Sequence, residues 1–143
     1  MKVKVKKMHP TAVIPEYASS GAACFDLRAI EGGEVFALGG TLACRTGLAF
    51  EVPAGHVMLI YSRSGHGFKN SVRLVNSVGV IDSDYRGEVA VKLCNDSPLD
   101  FSVEPGDRIA QAMIVKAPAV ELIESESLEE TERGADGFGS TGK

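Results

Sequence analysis

Apolar residues in this chain recur at every second position, in short runs that turn residues cut off. Val3 and Val5 alternate with lysines, and Val89, Val91 and Leu93 alternate with Ala90, Lys92 and Cys94. Further short apolar runs cover 42–50, 56–61, 73–75 and 109–115. Between them stand Gly32-Gly33, Gly39-Gly40, Pro53-Ala54-Gly55, Asn95-Asp96-Ser97-Pro98 and Pro105-Gly106-Asp107. A period of two turns alternate side chains to opposite faces, so each run can bury one face and solvate the other. Many short strands at this spacing predict an all-β sandwich, barrel or jelly roll. Helix is scarce, with room for a turn or two over 64–70. No internal repeat is visible.

At 143 residues the chain is long enough for one domain with a real core. Tryptophan is absent and only nine residues are aromatic Phe or Tyr, so that core is expected to be mostly aliphatic. The net charge of −4 argues against long DNA or RNA as a partner, since such ligands are held by basic surfaces. A small anion held by a few placed cations is compatible with it. Cys24, Cys44 and Cys94 form no C-x-x-C pair, and His9, His56 and His66 do not cluster. Free thiols in a reducing compartment are expected, rather than a zinc or redox site. No apolar run is long enough to span a membrane, and no signal-peptide core leads the chain. A cytoplasmic protein is therefore expected, or one of the host cytoplasm if the chain is viral. Lys2, Lys4, Lys6 and Lys7 alternate with valines as on a solvated edge strand. The expected organisation is a β-rich core over 1–123, then an acidic linker and a glycine-rich arm over 124–143.

That arm is rich in chemistry. From Arg133 to Gly142 four of ten residues are glycine, with one cation, one aromatic ring and two hydroxyls. Glycines let successive N–H groups turn inward as an anion nest. Arg133 can pair with phosphate oxygens, Phe138 offers a flat face to a base, and Ser140 and Thr141 add donors. A glycine-rich end is by itself more often plain disorder. Residues 137–143 also spell G-x-x-x-x-G-K, but a P-loop needs Ser or Thr after the lysine, a strand before and a helix behind. The sequence ends at Lys143, and the P-loop is set aside.

Four further stretches stand out. In 79–87 two apolar residues lead into Asp82-Ser83-Asp84, then Tyr85, Arg86 and Gly87. A β-hairpin explains the turn residues. It does not explain the full set: a strand-end carboxylate is a candidate general base, and a Tyr ring can pack on a sugar face. Ser62-Arg63-Ser64-Gly65 suits phosphate contact through guanidinium, hydroxyl and close backbone approach, or is simply a polar turn. Gly106-Asp107 turns the chain into another strand, where Gln111 is a pocket donor or a surface amide. Asp26 and Arg28 put opposite charges in an apolar run, as a structural ion pair or as ligand contacts.

The order of these stretches is more specific than any one of them. ACFDLRA, SRSG, GVIDSDYRG, GDRIAQ and RGADGFGSTG together resemble the five motifs of the trimeric dUTPases, from about Pro10 to the C-terminus. The resemblance implies a jelly-roll-like subunit in a homotrimer with shared active sites and a mobile C-terminal arm. It implies hydrolysis of dUTP to dUMP and pyrophosphate, which limits uracil incorporation into DNA and supplies dUMP for thymidylate synthesis. Mg²⁺ is carried by the triphosphate, with no direct protein ligand. By motif match, Asp82 resembles the carboxylate that activates water, and Tyr85 the ring that packs on deoxyribose and excludes a 2′-hydroxyl. Asn76, with the hairpin backbone at Gly79, Val80, Ile81 and Ala90, resembles the uracil-reading element. Arg63, Ser64, Gly65 and Gln111 resemble the phosphate contacts. Asp26 resembles the carboxylate that orders the arginine and water near the metal. Arg133, Phe138, Gly139, Ser140 and Thr141 match the closing arm, with Phe138 over the uracil.

Some positions depart from the family pattern. Cys24-Phe25 stand where Gly-Tyr is usual, Ser62 where Pro is common, His66 where an apolar residue is usual, and Asp136 where Gly is common. Two alternatives are a dCTP deaminase, which shares the fold but uses a glutamate, and a protein-binding regulator on the same fold. The intact Ile81–Gly87 run favours hydrolysis.

Overall fold

A computed structural model describes residues 1–137. Ten strands and one short helix follow in order: β1 (Lys4–Lys7), β2 (Phe25–Arg28), β3 (Gly33–Val35), β4 (Thr41–Glu51), β5 (His56–Tyr61), α1 (Ser64–Asn70), β6 (Val72–Leu74), β7 (Val78–Ile81), β8 (Val89–Asn95), β9 (Phe101–Val103) and β10 (Arg108–Lys116). Two four-stranded antiparallel sheets, β1-β4-β8-β6 and β2-β10-β5-β7, carry the jelly-roll-like fold, with β3 and β9 as a small third sheet. No helix among the described residues is long and apolar enough to cross a membrane.

Alternation decides what each strand buries. Phe25 and Leu27 of β2, Met58 and Ile60 of β5, and Val89, Val91 and Leu93 of β8 all turn inward. Together with Leu48, Phe50 and Leu74 they belong to one contiguous core. Burying each such side chain contributes roughly 1.5–3 kcal/mol. Outward positions on the same strands are left for chemistry: Asp26 and Arg28, Leu59 and Tyr61, Ala90 and Lys92. β1 is an edge strand, and its exposed Lys4, Lys6 and Lys7 discourage further strand pairing there.

Two details hold the layers in place. β4 slips register against β8 between Arg45 and Leu48, where Gly47 has φ +66°. A Cβ there would come within 2.8 Å of the Ala12 Cβ, so the bulge needs glycine for space as well as for backbone angle. Glu88 clasps the bulge, accepting the Gly47 N–H at 2.8 Å and the Arg45 guanidinium at 2.8 Å. These donors hold its carboxyl below the usual glutamate range, with the Arg45 hydrogen bond the largest cause. The second detail is Asn95, wholly buried at the end of β8. Its amide donates to the Val35 and Leu99 carbonyls and its oxygen accepts the Ser97 N–H. All of its strongest polar groups are thereby paired, so burial carries no desolvation penalty left uncompensated.

The stretch 79–87 does not form the expected hairpin. β7 pairs with β5 in one sheet, whereas β8 lies between β4 and β6 in the other. Both edges of β8 are already occupied, so the chain from Asp82 to Glu88 crosses from sheet to sheet. The expected strands over 42–50, 56–61, 73–75 and 109–115 fall on β4, β5, β6 and β10. The turn at 95–98 starts one residue later than its composition implies, because Asn95 closes β8.

Candidate active site

One row of residues crosses the second sheet at a single level. Asp26 of β2 faces Gln111 of β10, Gln111 faces Tyr61 of β5, and Tyr61 faces Val78 of β7. All four point away from the core, because their strand neighbours Phe25, Leu27, Ala110, Ala112, Ile60 and Gly79 fill it. Just beyond Tyr61 the strand gives way to α1, with Arg63 as its extended N-cap residue. Gln111 donates its amide to the Ser62 carbonyl at 2.9 Å. The Ser62 hydroxyl accepts the Leu74 N–H at 2.8 Å, a bond that the proline common in the family could not supply. The turn that presents Arg63, Ser64 and Gly65 is thus tied to both sheets.

Asp26 is the hub of this end. One carboxylate oxygen takes Nε of Arg63 and the other takes Nη1 of Arg108, each at 3.1 Å. Arg63 also donates through Nη1 to the Arg108 carbonyl, at 3.3 Å. Its Nη2 has no partner among the described residues, which leaves one face of the guanidinium for a ligand. Arg28 does not pair with Asp26, its neighbour two residues along. Its guanidinium donates to the Gly106 carbonyl at 2.6 Å instead. Arg108 is the residue that sequence reasoning missed. Its signal was the strand-opening Asp107-Arg108, hidden because the β2–β10 register shifts between Arg108 and Ala110.

A cleft runs between the sheets along β7 and β8, from Leu74 and Asn76 near the Ser62 turn to Ile81 at the far end of the ladder. A hollow of about 420 Å³ is lined by Asn76, Gly79, Val80, Ile81 and Ala90, with Ile60, Leu74 and Lys92 among its walls. Gly79 is buried there, and a Cβ would press on Ile60 at 3.2 Å. An adjoining hollow of about 280 Å³ shares Val80, Ile81 and Ala90 and adds Asp82, Tyr85 and Glu88. The Tyr85 N–H donates to the Asp82 carbonyl, and the Tyr85 hydroxyl to the Glu88 carbonyl at 3.0 Å. Asp82 and Tyr85 are both exposed. The structure therefore brings Asn76, Gly79, Val80, Ile81, Asp82, Tyr85 and Ala90 around one continuous cleft.

It does not bring Asp82 to Arg63. β5 and β7 run antiparallel, with Tyr61 opposite Val78 and Met58 opposite Ile81. Arg63 lies beyond the Tyr61 end and Asp82 beyond the Ile81 end. About six residues at roughly 3.3 Å each put their positions about 20 Å apart.

Residues after β10 add no regular element among those described, and 118–137 are exposed. Arg133 donates through Nε to the Asp136 carbonyl at 2.9 Å, closing a turn. Phe138, Gly139, Ser140 and Thr141 lie outside the described residues. Among the described residues, no three His, Cys, Asp or Glu side chains gather as a metal-binding group.

Cys24, beside Asp26, has its thiol pKa raised by burial and then by that carboxylate. Cys44 is pushed up to about 11, mainly by burial. Neither is an activated nucleophile.

Comparison with known proteins gives a consistent picture. The dUTPase family model matches residues 11–142. The deoxyuridine 5'-triphosphate nucleotidohydrolase of Wolinella succinogenes is 49% identical over 143 residues, covering all of this chain and 95% of that one. That of Nautilia profundicola is 48% identical and covers both chains completely. Among solved structures, the Staphylococcus bacteriophage 80alpha dUTPase with dUPNHPP superposes with a TM-score of 0.91, at 27% identity and 99% coverage of each chain. With the matched model spanning nearly its whole length, the chain belongs to the dUTPase family.

Proposed function

We propose that this chain, as a dUTPase, hydrolyses dUTP to dUMP and pyrophosphate in pockets that several copies of the chain complete together. The observation that carries the reading is the split between two half-sites. A cationic cluster built on Arg63 stands at one end of the β5–β7 ladder, and Asp82 and Tyr85, where the base-sized cleft ends, stand at the other. Arg63 and Asp82, about 20 Å apart along one sheet, are not placed to work on the same phosphate chain within one copy. A homotrimer, in which the cleft of one copy faces the Arg63 cluster of another, supplies both halves.

In each pocket the backbone of Gly79, Val80 and Ile81, with Asn76 and Ala90, reads uracil. Cytosine reverses a donor and an acceptor and would leave buried groups unpaired. The Tyr85 ring packs on deoxyribose and leaves no room for a 2′-hydroxyl. Asp82 takes a proton from the water that attacks the α-phosphorus. Arg63, Ser64, Gly65 and Gln111 hold the phosphate chain, and Asp26 fixes the direction of Arg63. As pyrophosphate leaves, charge builds on its oxygens, where the Arg63 guanidinium stabilises it.

The residues fit a Mg²⁺ ion that rides on the triphosphate and keeps most of its waters. Asp26, already shared by two arginines, would hold such a water rather than the ion itself. When bound, Mg²⁺ neutralises phosphate charge. Residues 124–143 act as the linker and arm that close over the nucleotide, with Arg133 on phosphate and Phe138 on uracil.

Incubation with dUTP, dCTP, dTTP or UTP plus Mg²⁺, followed by product identification, tests the reading. Release of dUMP and pyrophosphate from dUTP is expected, with the other three nearly untouched. Deamination of dCTP, or equal hydrolysis of all four, would overturn it.

A further inference from the structure

We propose that His66 is a positioning residue for Arg63, and so a determinant of how tightly the enzyme holds the phosphate chain. The inference rests on the reading of Arg63 as a phosphate contact. It starts from a shared acceptor. His66 Nε2 lies 2.7 Å from the Arg108 carbonyl oxygen, the same oxygen that Arg63 reaches through Nη1 at 3.3 Å. A carbonyl only accepts, so Nε2 carries the proton and donates.

Nε2 also lies 3.3 Å from Arg63 Nη1. Both atoms are donors, so this approach is not a bond. The carbonyl between them holds the two groups together. His66 is itself held, with its ring edge-on to Phe101 at a centroid distance of 5.1 Å and an interplanar angle of 76°. Phe101 belongs to β9 and Arg108 to β10, so α1 is pinned to two strands outside its own loop.

The consequence falls on the freedom of the guanidinium. Asp26 fixes Arg63 at Nε, which alone leaves rotation about that bond. The Arg108 carbonyl adds a second point at Nη1, and two points set the plane from which Nη2 projects. The Arg108 carbonyl keeps its place because His66 bonds to the same oxygen, and more closely than Arg63 does. Remove that donor and the oxygen loses its shorter bond, and the second anchor of Arg63 is held less firmly. The apolar residue usual in the family could pack on Phe101 but could not donate. The anchoring is thus a property of this chain's own helix.

Steady-state kinetics with dUTP and Mg²⁺ test this on His66→Leu, His66→Asn and His66→Gln, with Arg63→Ala as reference. Loss of one net hydrogen bond corresponds to about a 3- to 10-fold rise in KM, expected for His66→Leu with a smaller change in kcat. His66→Asn keeps an amide but falls a methylene short of the carbonyl, and should behave like His66→Leu. His66→Gln places an N–H where Nε2 stands, and should restore KM to within about twofold. Inhibition by deoxyuridine, which carries no phosphate, should be the same in all. An unchanged KM in His66→Leu and His66→Asn, while Arg63→Ala raises it, overturns the inference, as does a His66→Gln variant that fails to recover. An unchanged KM in Arg63→Ala overturns the phosphate reading itself.

Discussion

The ring of Tyr85 lies directly over Gly87, so closely that a Cβ on Gly87 would overlap the phenol oxygen and its carbon. The ring is further fixed by the bond from its hydroxyl to the Glu88 carbonyl. Gly87→Ala should therefore displace Tyr85 without touching the nucleotide. The preference for dUTP over UTP should fall in Gly87→Ala, in the direction of Tyr85→Ala. Measuring kcat/KM for both nucleotides checks this; an unaltered ratio in both variants would remove Tyr85 from sugar discrimination.

Asp82 follows directly on β7, exposed at the mouth of the cleft. Asp82→Asn keeps the shape of the side chain but cannot take a proton from water. Turnover should fall at least about 100-fold, the usual scale of a lost general base, while dUTP still binds. Calorimetry with dUTP alongside a rate assay separates the two. Near-normal turnover would mean that another group activates the water.

Glu88 clasps the β4 bulge, and its acid pKa is lowered in the folded chain by Arg45 and the Gly47 N–H. A lowered folded pKa stabilises the protein above the unfolded value, near about 4.3. That contribution disappears as pH falls through the folded value. Glu88→Gln should cost about 1–2 kcal/mol at pH 7, the scale of a partly exposed charge-assisted bond. The difference from wild type should shrink in strong acid. Denaturant titrations at pH 7 and pH 3 provide the check, and an equal difference at both would show that the charge is not involved.

The arm is tested by removal. Loss of residues 133–143 should leave the fold and the assembly intact and greatly reduce hydrolysis, because closure excludes water and adds donors around the phosphates. Phe138→Ala should be milder, since stacking on a base is worth roughly 1–3 kcal/mol. Full activity in the truncated chain would make the arm dispensable.

Assembly has its own readout. Light scattering should give a mass about three times that of the single chain. Activity per chain should fall on dilution through the dissociation range, because under the proposed split a lone chain would hold only half of each pocket. An active monomer would contradict the split site.

Much of this was legible in the sequence because alternation and turn chemistry act locally. Val89, Val91 and Leu93 announce the inward face of β8, and Pro53-Ala54-Gly55 announces the turn before β5. The strands β3 and β9 were not legible, since each offers a single buried apolar residue, Val35 or Val103, too few for a period to show, whereas the equally short β6 has Val72 and Leu74. Nor was the partner of β7. The Asp82-Ser83-Asp84 turn looks the same whether the chain returns to its own sheet or crosses to the other, and only the occupied edges of β8 decide between them. Motif order pointed to Asp26 and Arg63. The bond between Arg108 and Asp26 depends on a register shift that no local pattern encodes.

The rigid spacing of the β5–β7 ladder has a consequence for mixtures of chains. In the proposed trimer a lesion at Arg63 and a lesion at Asp82 spoil different pockets, because each chain would lend its two ends to different neighbours. Two impaired variants, Arg63→Ala and Asp82→Asn, should regain activity when their subunits exchange, as pockets form in which both halves come from undamaged ends. In a cell carrying both alleles, such defects would complement each other, although each allele alone encodes an impaired enzyme.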